Sequence, residues 1–206
     1  MEKGNTKQEI LNVALNLFST QGFEATSVSE IAEAVGIRKA SLYSHYASKQ
    51  EILDALMVQV LEQYDKHSIF VHADWDDEAF TEAKKNLSPV EAEKLIFEQI
   101  HFIIHDPMIS KVRKMLTIEQ FRNEYMSKLQ TVRNYTNVMK YFTGLMRFFI
   151  RSGKLKDCDA EIMAAQLCLP VSVWINLCDR EPDREGEIMA LVGRHVRQFF
   201  SLYGKE

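Results

Sequence analysis

Residues 26–49 have the sequence TSVSEIAEAVGIRKASLYSHYASK, and this stretch predicts two short helices joined by a tight turn. Ser27 and Glu30 have the spacing of a capping box, which indicates that a helix begins directly after Ser27. Gly36 lies where a helix commonly ends in the left-handed conformation that glycine adopts without strain. The second helix buries Leu42 and presents polar and cationic side chains on its other side. Two short helices around a glycine turn are typical of the helix-turn-helix motif, whose second helix reads DNA.

The distribution of charge separates this stretch from the rest of the chain. The 206 residues carry a formal net charge of −4, yet residues 36–50 contain three cations, Arg38, Lys39 and Lys49, and no anion. Positive potential is therefore concentrated where the second helix would meet phosphates. A small cationic reading head on an acidic body favours a sequence-specific DNA-binding protein over one that coats nucleic acid.

A series of short motifs follows in fixed order between about Ile10 and Leu53. They are Gly22-Phe23, Thr26-Ser27-Val28, Ile31-Ala32, Ala34-Val35-Gly36-Ile37 and Leu42-Tyr43-x-His45-Tyr46-x-x-Lys49. This series closely resembles the TetR/AcrR family of transcriptional regulators and covers roughly a quarter of the chain. The resemblance implies an N-terminal three-helix domain with the helix-turn-helix, followed by a helical ligand-binding and dimerisation domain.

Helical periodicity continues through the rest of the chain, and no β-alternation rises above noise, so the expected fold class is all-α. The predicted helices are 7–20, 48–66, 88–105, 106–125, 127–152, 158–178 and 183–203, with a mixed polar loop at 67–87. Pro170 predicts a kink or a break in its helix. We expect a DNA-binding domain at 1–50 and a regulatory domain at 51–206, with a ligand pocket within about 51–152 and dimerisation helices within about 158–203.

The side chains expected to reach DNA lie on and beside the second helix of the motif. Those expected at base edges begin that helix or lie on its outer face: Arg38, Lys39, Ser41 and Ser44. Ala40 is expected to approach a thymine methyl group or the DNA backbone. The resemblance implies that Tyr43, His45 and Lys49 position the DNA backbone. It also implies that Thr26 or Ser27 contacts a phosphate at the start of the preceding helix, where free amides attract anions. Packing of Tyr43 within the domain, and a corner role for His45, are the alternatives.

One head of this size would bind DNA with little specificity, so a homodimer on a palindromic operator is expected. The resemblance implies that the last two helices of each chain form a four-helix bundle with those of the partner. The apolar residues expected at that interface are Leu167, Val171, Trp174, Ile175, Ile188, Val192, Val196 and Phe199. The alternative is that these side chains only close the core of one chain.

The resemblance also implies a pocket for a small-molecule inducer within the helices of residues 88–152. The side chains expected to line it are Phe97, His101, Met115, Phe121, Tyr125, Phe142 and Met146, each of which could instead be a core residue. His101 and His105 have a spacing that can chelate a metal, but no carboxylate or cysteine joins them at a telling distance. We therefore expect no metal and no cofactor.

Other classes of function find little support in the sequence. There is no GxSxG, Walker, Rossmann or HExxH pattern, so an enzyme is not expected. A helical interaction module that has lost DNA binding is disfavoured because Arg38, Lys39, Tyr43 and Lys49 are all present. An activator stays open, since it would carry the same reading head as a repressor.

Cysteine usage and hydropathy predict a cytoplasmic protein without a membrane partner. Cys158, Cys168 and Cys178 form no CxxC pair and are expected to be small buried hydrophobes, with a thiol sensor as the alternative. The N-terminus shows no apolar signal segment. No apolar run is expected to reach the roughly 18 residues that a bilayer requires.

Overall fold

The computed structural model describes residues 3–70 and 72–205, apart from the side chains of residues 3–5, and within them the chain is helical with no β-strand. The all-α prediction is confirmed. The helices are α1 (Lys3–Gln21), α2 (Val28–Val35), α3 (Lys39–Tyr43), α4 (Lys49–His67), α5 (Glu78–Ala83), α6 (Pro89–His105), α7 (Pro107–Glu119), α8 (Glu124–Thr131), α9 (Asn137–Arg151), α10 (Ala160–Arg180) and α11 (Glu185–Tyr203).

The described residues form two compact units. The first lies within Met1–His67 and His105–Gln130, and the second within Ser68–Ile104 and Thr131–Glu206. In the first unit α1 packs along α7 and against α2 and α4, and α2 packs against α3. In the second, α10 packs against both α9 and α11 around a large apolar core. The sequence-based domain boundary at residue 50 stays a prediction.

The helix ends around the helix-turn-helix follow the local sequence. The Ser27 hydroxyl accepts a hydrogen bond from Glu30 N at 3.2 Å, and Ser27 N donates to the Glu30 carboxylate at 2.7 Å, which confirms the capping box. Gly36 has a φ of 77° and ends α2, as predicted. After the motif, α4 runs without interruption from Lys49 to His67.

Two predicted helices and one predicted loop differ from the structure. The predicted helix 106–125 ends at Glu119, because the carbonyl of Glu119 accepts from the N–H groups of Arg122 and Asn123 and closes a turn. The Asn123 side chain then caps Met126 N at 3.1 Å, so α8 starts at Glu124. The predicted helix 127–152 contains a π-helical turn at Val132–Thr136. The predicted loop 67–87 contains α5, capped by Asp77.

Two expectations concern helix α10. It is a single element with Pro170 inside it, so the helix is not broken there, and the alternative of a kink stays a prediction. By length and composition alone it could also cross a membrane, although no such segment was expected. Its buried side chains, among them Met163, Leu167 and Ile175, lie in the core of the second unit. The apolar composition of α10 is therefore only weak evidence for a membrane span.

Candidate nucleic-acid interface

The second helix of the motif, α3, is short and is held by one buried side chain. Leu42 is 0% exposed and anchors α3, while Ile37 N donates to Ala32 O at 2.9 Å across the turn. Helix α3 covers only Lys39–Tyr43. Arg38 precedes it in extended conformation, and its side chain makes no capping hydrogen bond.

Most of the residues predicted to contact DNA are solvent-exposed. Exposed residues of this group are Arg38, Lys39, Ala40, Ser41, Tyr43 and Ser44, and His45 is half-buried. The Ser44 hydroxyl donates to Ser41 O at 2.7 Å, so its proton is already engaged. Tyr43 is 46% exposed, which argues against the alternative that its ring is packed within the unit. The exposed residues include two cations and the hydroxyls of Ser41 and Ser44, the chemistry needed for bases and phosphates.

Two of the predicted phosphate-binding residues are engaged inside the unit instead. Thr26 is 1% exposed, and its hydroxyl donates to Gly22 O at 2.7 Å and accepts from Gln21 Nε2 at 3.1 Å. This burial argues against a phosphate contact by the Thr26 side chain. Lys49 Nζ donates to Phe23 O at 2.6 Å and to Glu24 O at 3.3 Å. It also lies 4.3 Å from the centre of the Phe23 ring, a cation–π contact.

Ser27 keeps the exposure that a phosphate contact needs. It begins α2 at the surface of the unit, where its hydroxyl accepts from Glu30 N. The neighbouring carboxylate is ionised readily, because hydrogen bonds from the Ser27 backbone and hydroxyl lower the pKa of Glu30. Ser27, rather than Thr26, is thus the member of the predicted pair that DNA could reach.

Glu119 also belongs to this region and was missed by the sequence reasoning. Its carboxylate accepts a hydrogen bond from the backbone N–H of Glu24, in the turn that precedes α2. The two residues are 95 positions apart, and no motif surrounds Glu119. Only the packing of α7 against α1 reveals the contact.

The residues predicted to line an inducer pocket are divided between the two units. In the first, Met115 is buried in the core, but Phe121 is 91% and Tyr125 51% exposed, so these two rings do not line an enclosed cavity. Phe121 lies in the turn that follows α7, and Tyr125 lies in α8. In the second unit Phe142 and Met146 are core residues, with Phe97 packed against that core and His101 exposed.

Two clefts in the second unit are lined by other residues. One, of about 230 Å³, lies around Trp75, Met139, Thr143 and Gly144. A wider one, of about 1040 Å³, lies around Trp75, Phe148 and Arg151. Trp75 is 6% exposed, and its indole packs against Gly144, where a Cβ would collide with it. Neither of these two clefts contains a predicted pocket residue.

The residues predicted at the dimer interface mostly pack inside one chain. Buried in the core of the second unit are Leu167, Val171, Ile175, Ile188, Val192, Val196 and Phe199. Trp174 is half-buried, and its ring lies 5.2 Å from that of His195. This burial within one chain favours the alternative, that the seven side chains close its core, and their place at a dimer interface stays a prediction. The exposed apolar side chains of α10 and α11 are Ile162, Val173, Leu191 and Leu202.

The cysteines and histidines form no metal site in the described part of the chain, where no group of three or more potential ligands occurs. Cys168 and Cys178 are buried, as expected, and burial raises the pKa of Cys168 to about 12. Cys158 is exposed, which contradicts the expectation for that residue.

Comparison with known proteins supports the interpretation of α2 and α3 as a DNA-binding helix-turn-helix. Residues 10–56 match the family model described as "Bacterial regulatory proteins, tetR family". The transcriptional repressor KstR2 of Rhodococcus jostii is 27% identical over 174 residues, which are 84% of this chain and 78% of KstR2. The regulator AcrR of Shigella flexneri is 42% identical over 55 residues, 27% of this chain and 26% of AcrR.

A solved structure shares the fold of the whole chain. It is a transcriptional regulator from Saccharomonospora viridis in complex with choline, which has a TM-score of 0.63, 18% identity and coverage of 99% of this chain and 100% of that one. Regulators of the TetR family bind operator DNA as homodimers and bind small-molecule ligands. Given the helix-turn-helix geometry and these matches, residues 10–56 form a DNA-binding domain of the TetR type, and the chain is a DNA-binding transcriptional regulator, not an enzyme.

Proposed function

We propose that this chain is a repressor that binds a palindromic operator as a homodimer and leaves it when a small molecule binds. The observation that carries the proposal is the exposed surface of α3, with Arg38 and Lys39 at its start and no acidic residue between positions 36 and 50. KstR2 is named a repressor, which favours repression over activation here.

The roles within this surface follow from position and exposure. Arg38 and Lys39 begin α3, where side chains reach base edges in the major groove. Ser41 and Ala40 are also exposed and contact bases or sugar-phosphate at close range. Tyr43, His45 and Ser27 position the DNA backbone, since phosphate contacts fix register without reading sequence.

For the ligand, we propose only a chemical class. The regulator from Saccharomonospora viridis holds choline, a small organic cation, so a small organic ligand is the expected effector here. It acts by stabilising a conformation in which the two heads no longer fit the operator, and the effect equals its difference in affinity for the two states.

The direct test is a gel shift of the protein against the DNA upstream of its own coding region. Specific binding that weakens with added salt is expected, because cationic side chains displace counterions from phosphates. Absence of any specific band would contradict the proposal. A reporter gene behind the same DNA then separates a repressor, whose deletion raises expression, from an activator, whose deletion lowers it.

A further inference from the structure

A buried carboxylate at the end of α7 contacts the turn that precedes the helix-turn-helix. Glu119 is 0% exposed, and its Oε1 accepts a hydrogen bond from Glu24 N at 3.2 Å. Its Oε2 is also buried and has no partner among the described residues. Burial of a carboxylate with so little compensation destabilises a fold, so the position of Glu119 suggests a role beyond packing.

Gly22 leaves the space that this carboxylate occupies. A Cβ at position 22 would collide with Oε1 of Glu119 and lie 2.9 Å from Cγ2 of Ile118. Gly22 also has a φ of 94°, which side chains rarely tolerate. The last turn of α7 and the backbone before α2 therefore meet more closely than any other residue at position 22 would permit.

The turn that contains Glu24 also receives hydrogen bonds from two other parts of the unit. On one side Asn123, in the turn after α7, donates through Nδ2 to the Glu24 carboxylate at 3.3 Å. On the other, Lys49 at the start of α4 donates to the carbonyls of Phe23 and Glu24. Thr26 then bonds back to Gly22 O, and α2 begins two residues later. The direction in which α2 leaves this turn also places α3, because the two helices pack together.

We propose that Glu119 is a positioning residue for operator binding. Its carboxylate fixes the turn at residues 22–24 and, through that turn, the orientation of α2 and α3 on DNA. A displacement of the end of α7 is then passed to the reading helix through one hydrogen bond and one close contact at Gly22. This inference rests on the proposed function, because it concerns the affinity for an operator.

The test compares two conservative variants, Glu119→Gln and Glu119→Asp. Glutamine keeps the reach of the side chain and an oxygen acceptor, so Glu24 N stays bonded. Aspartate keeps the charge but is one methylene shorter and loses this bond. The probe is a duplex that the wild-type protein selects from a random library. We expect Glu119→Asp to lower affinity about tenfold, within the usual range of coupling between sites, and Glu119→Gln to stay close to wild type.

Two further measurements separate positioning from a loss of stability. Thermal melting identifies a temperature at which all variants are folded, and affinities are compared there. Hydrogen exchange of the Glu24 amide should be faster in Glu119→Asp alone. If Glu119→Asp binds the duplex as tightly as wild type at that temperature, the inference is overturned. If the wild-type protein selects no duplex, it is the proposed function that fails.

Discussion

Lys49 illustrates at the residue scale how a cation in a DNA-binding motif can serve the fold instead of the ligand. Its ammonium group bonds to two backbone carbonyls of the turn before α2 and lies over the Phe23 ring. Those carbonyls would otherwise lack this donor, and the turn would lose its contact with α4. A phosphate could approach Lys49 only by competing with these partners.

We therefore expect Lys49→Ala to act mainly on stability. Hydrogen bonds from charged donors contribute about 1.5–3 kcal/mol, and partial exposure reduces that, so a loss of about 1–2 kcal/mol in the free energy of unfolding is expected. Urea unfolding measures it. The control is Lys39→Ala, at an exposed position of α3, which should keep the stability but weaken DNA binding and reduce its salt dependence. The reverse pattern would restore Lys49 as a phosphate contact.

Arg38 is the residue whose loss should change sequence preference. It precedes α3 in extended conformation, is exposed and makes no capping bond, so it is available to a base. A bidentate pair with guanine contributes about 1–3 kcal/mol of discrimination. In a selection from random duplexes, Arg38→Ala should relax the preference at one position of each half-site. An unchanged preference at every position would exclude base contact by Arg38.

The sequence supports part of this residue-level picture and not the rest, for a physical reason. The capping box of Ser27 and Glu30, the stop at Gly36 and the anchor at Leu42 depend on neighbours along the chain, and they are predicted correctly. Thr26 and Lys49 have the same chemistry whether they meet a phosphate or a backbone carbonyl. Their partners lie on other elements, so only packing decides between the two roles.

At the scale of elements, the start of α6 follows a cap in the sequence, whereas the end of α7 depends on a turn that the sequence does not signal. Ser88 and Glu91 form a capping box at α6, with Glu91 N donating to the Ser88 hydroxyl at 3.2 Å and Ser88 N donating to the Glu91 carboxylate at 2.8 Å. The end of α7 at Glu119 has no comparable signal, and that turn exposes Phe121. A helix continued to residue 125, as periodicity suggested, would have placed that ring differently.

The α6 cap makes a prediction about acid stability. Hydrogen bonds from the backbone and hydroxyl of Ser88 lower the pKa of the Glu91 carboxyl from 4.5. A lowered folded pKa means that its stabilisation is present above about pH 4.5 and is lost as the pH falls through the folded value. Glu91→Ala should therefore be less stable than wild type at pH 7, and the gap should narrow on acidification. Urea unfolding at pH 7 and at a pH below the folded pKa of Glu91 tests this. Glu98→Ala, in the same helix but outside the cap, should show a smaller gap.

At the scale of the whole molecule, most of the residues predicted at the dimer interface are buried within one chain. For residues such as Leu167 and Val196, the sequence alone does not distinguish a position in one chain's core from a position at a dimer interface. Both environments favour the same apolar side chains. The structure buries them in the core and leaves a different apolar set, including Val173 and Ile162, exposed on α10. Periodicity shows that a helix has an apolar face, but not whether a second apolar face is left for a partner.

The dimer surface should accordingly depend on Val173, which is 62% exposed on α10. Val173→Glu places a charge on the exposed side of α10, which a partner helix cannot cover without desolvating it. We expect the variant to fold but to sediment as a monomer. Its affinity for a palindromic duplex should fall by about a hundredfold or more, because the second head no longer binds as part of the same molecule. Val90→Glu, at a position 75% exposed on α6, is the matched control and should leave both properties unchanged. A dimeric Val173→Glu variant would place the interface elsewhere.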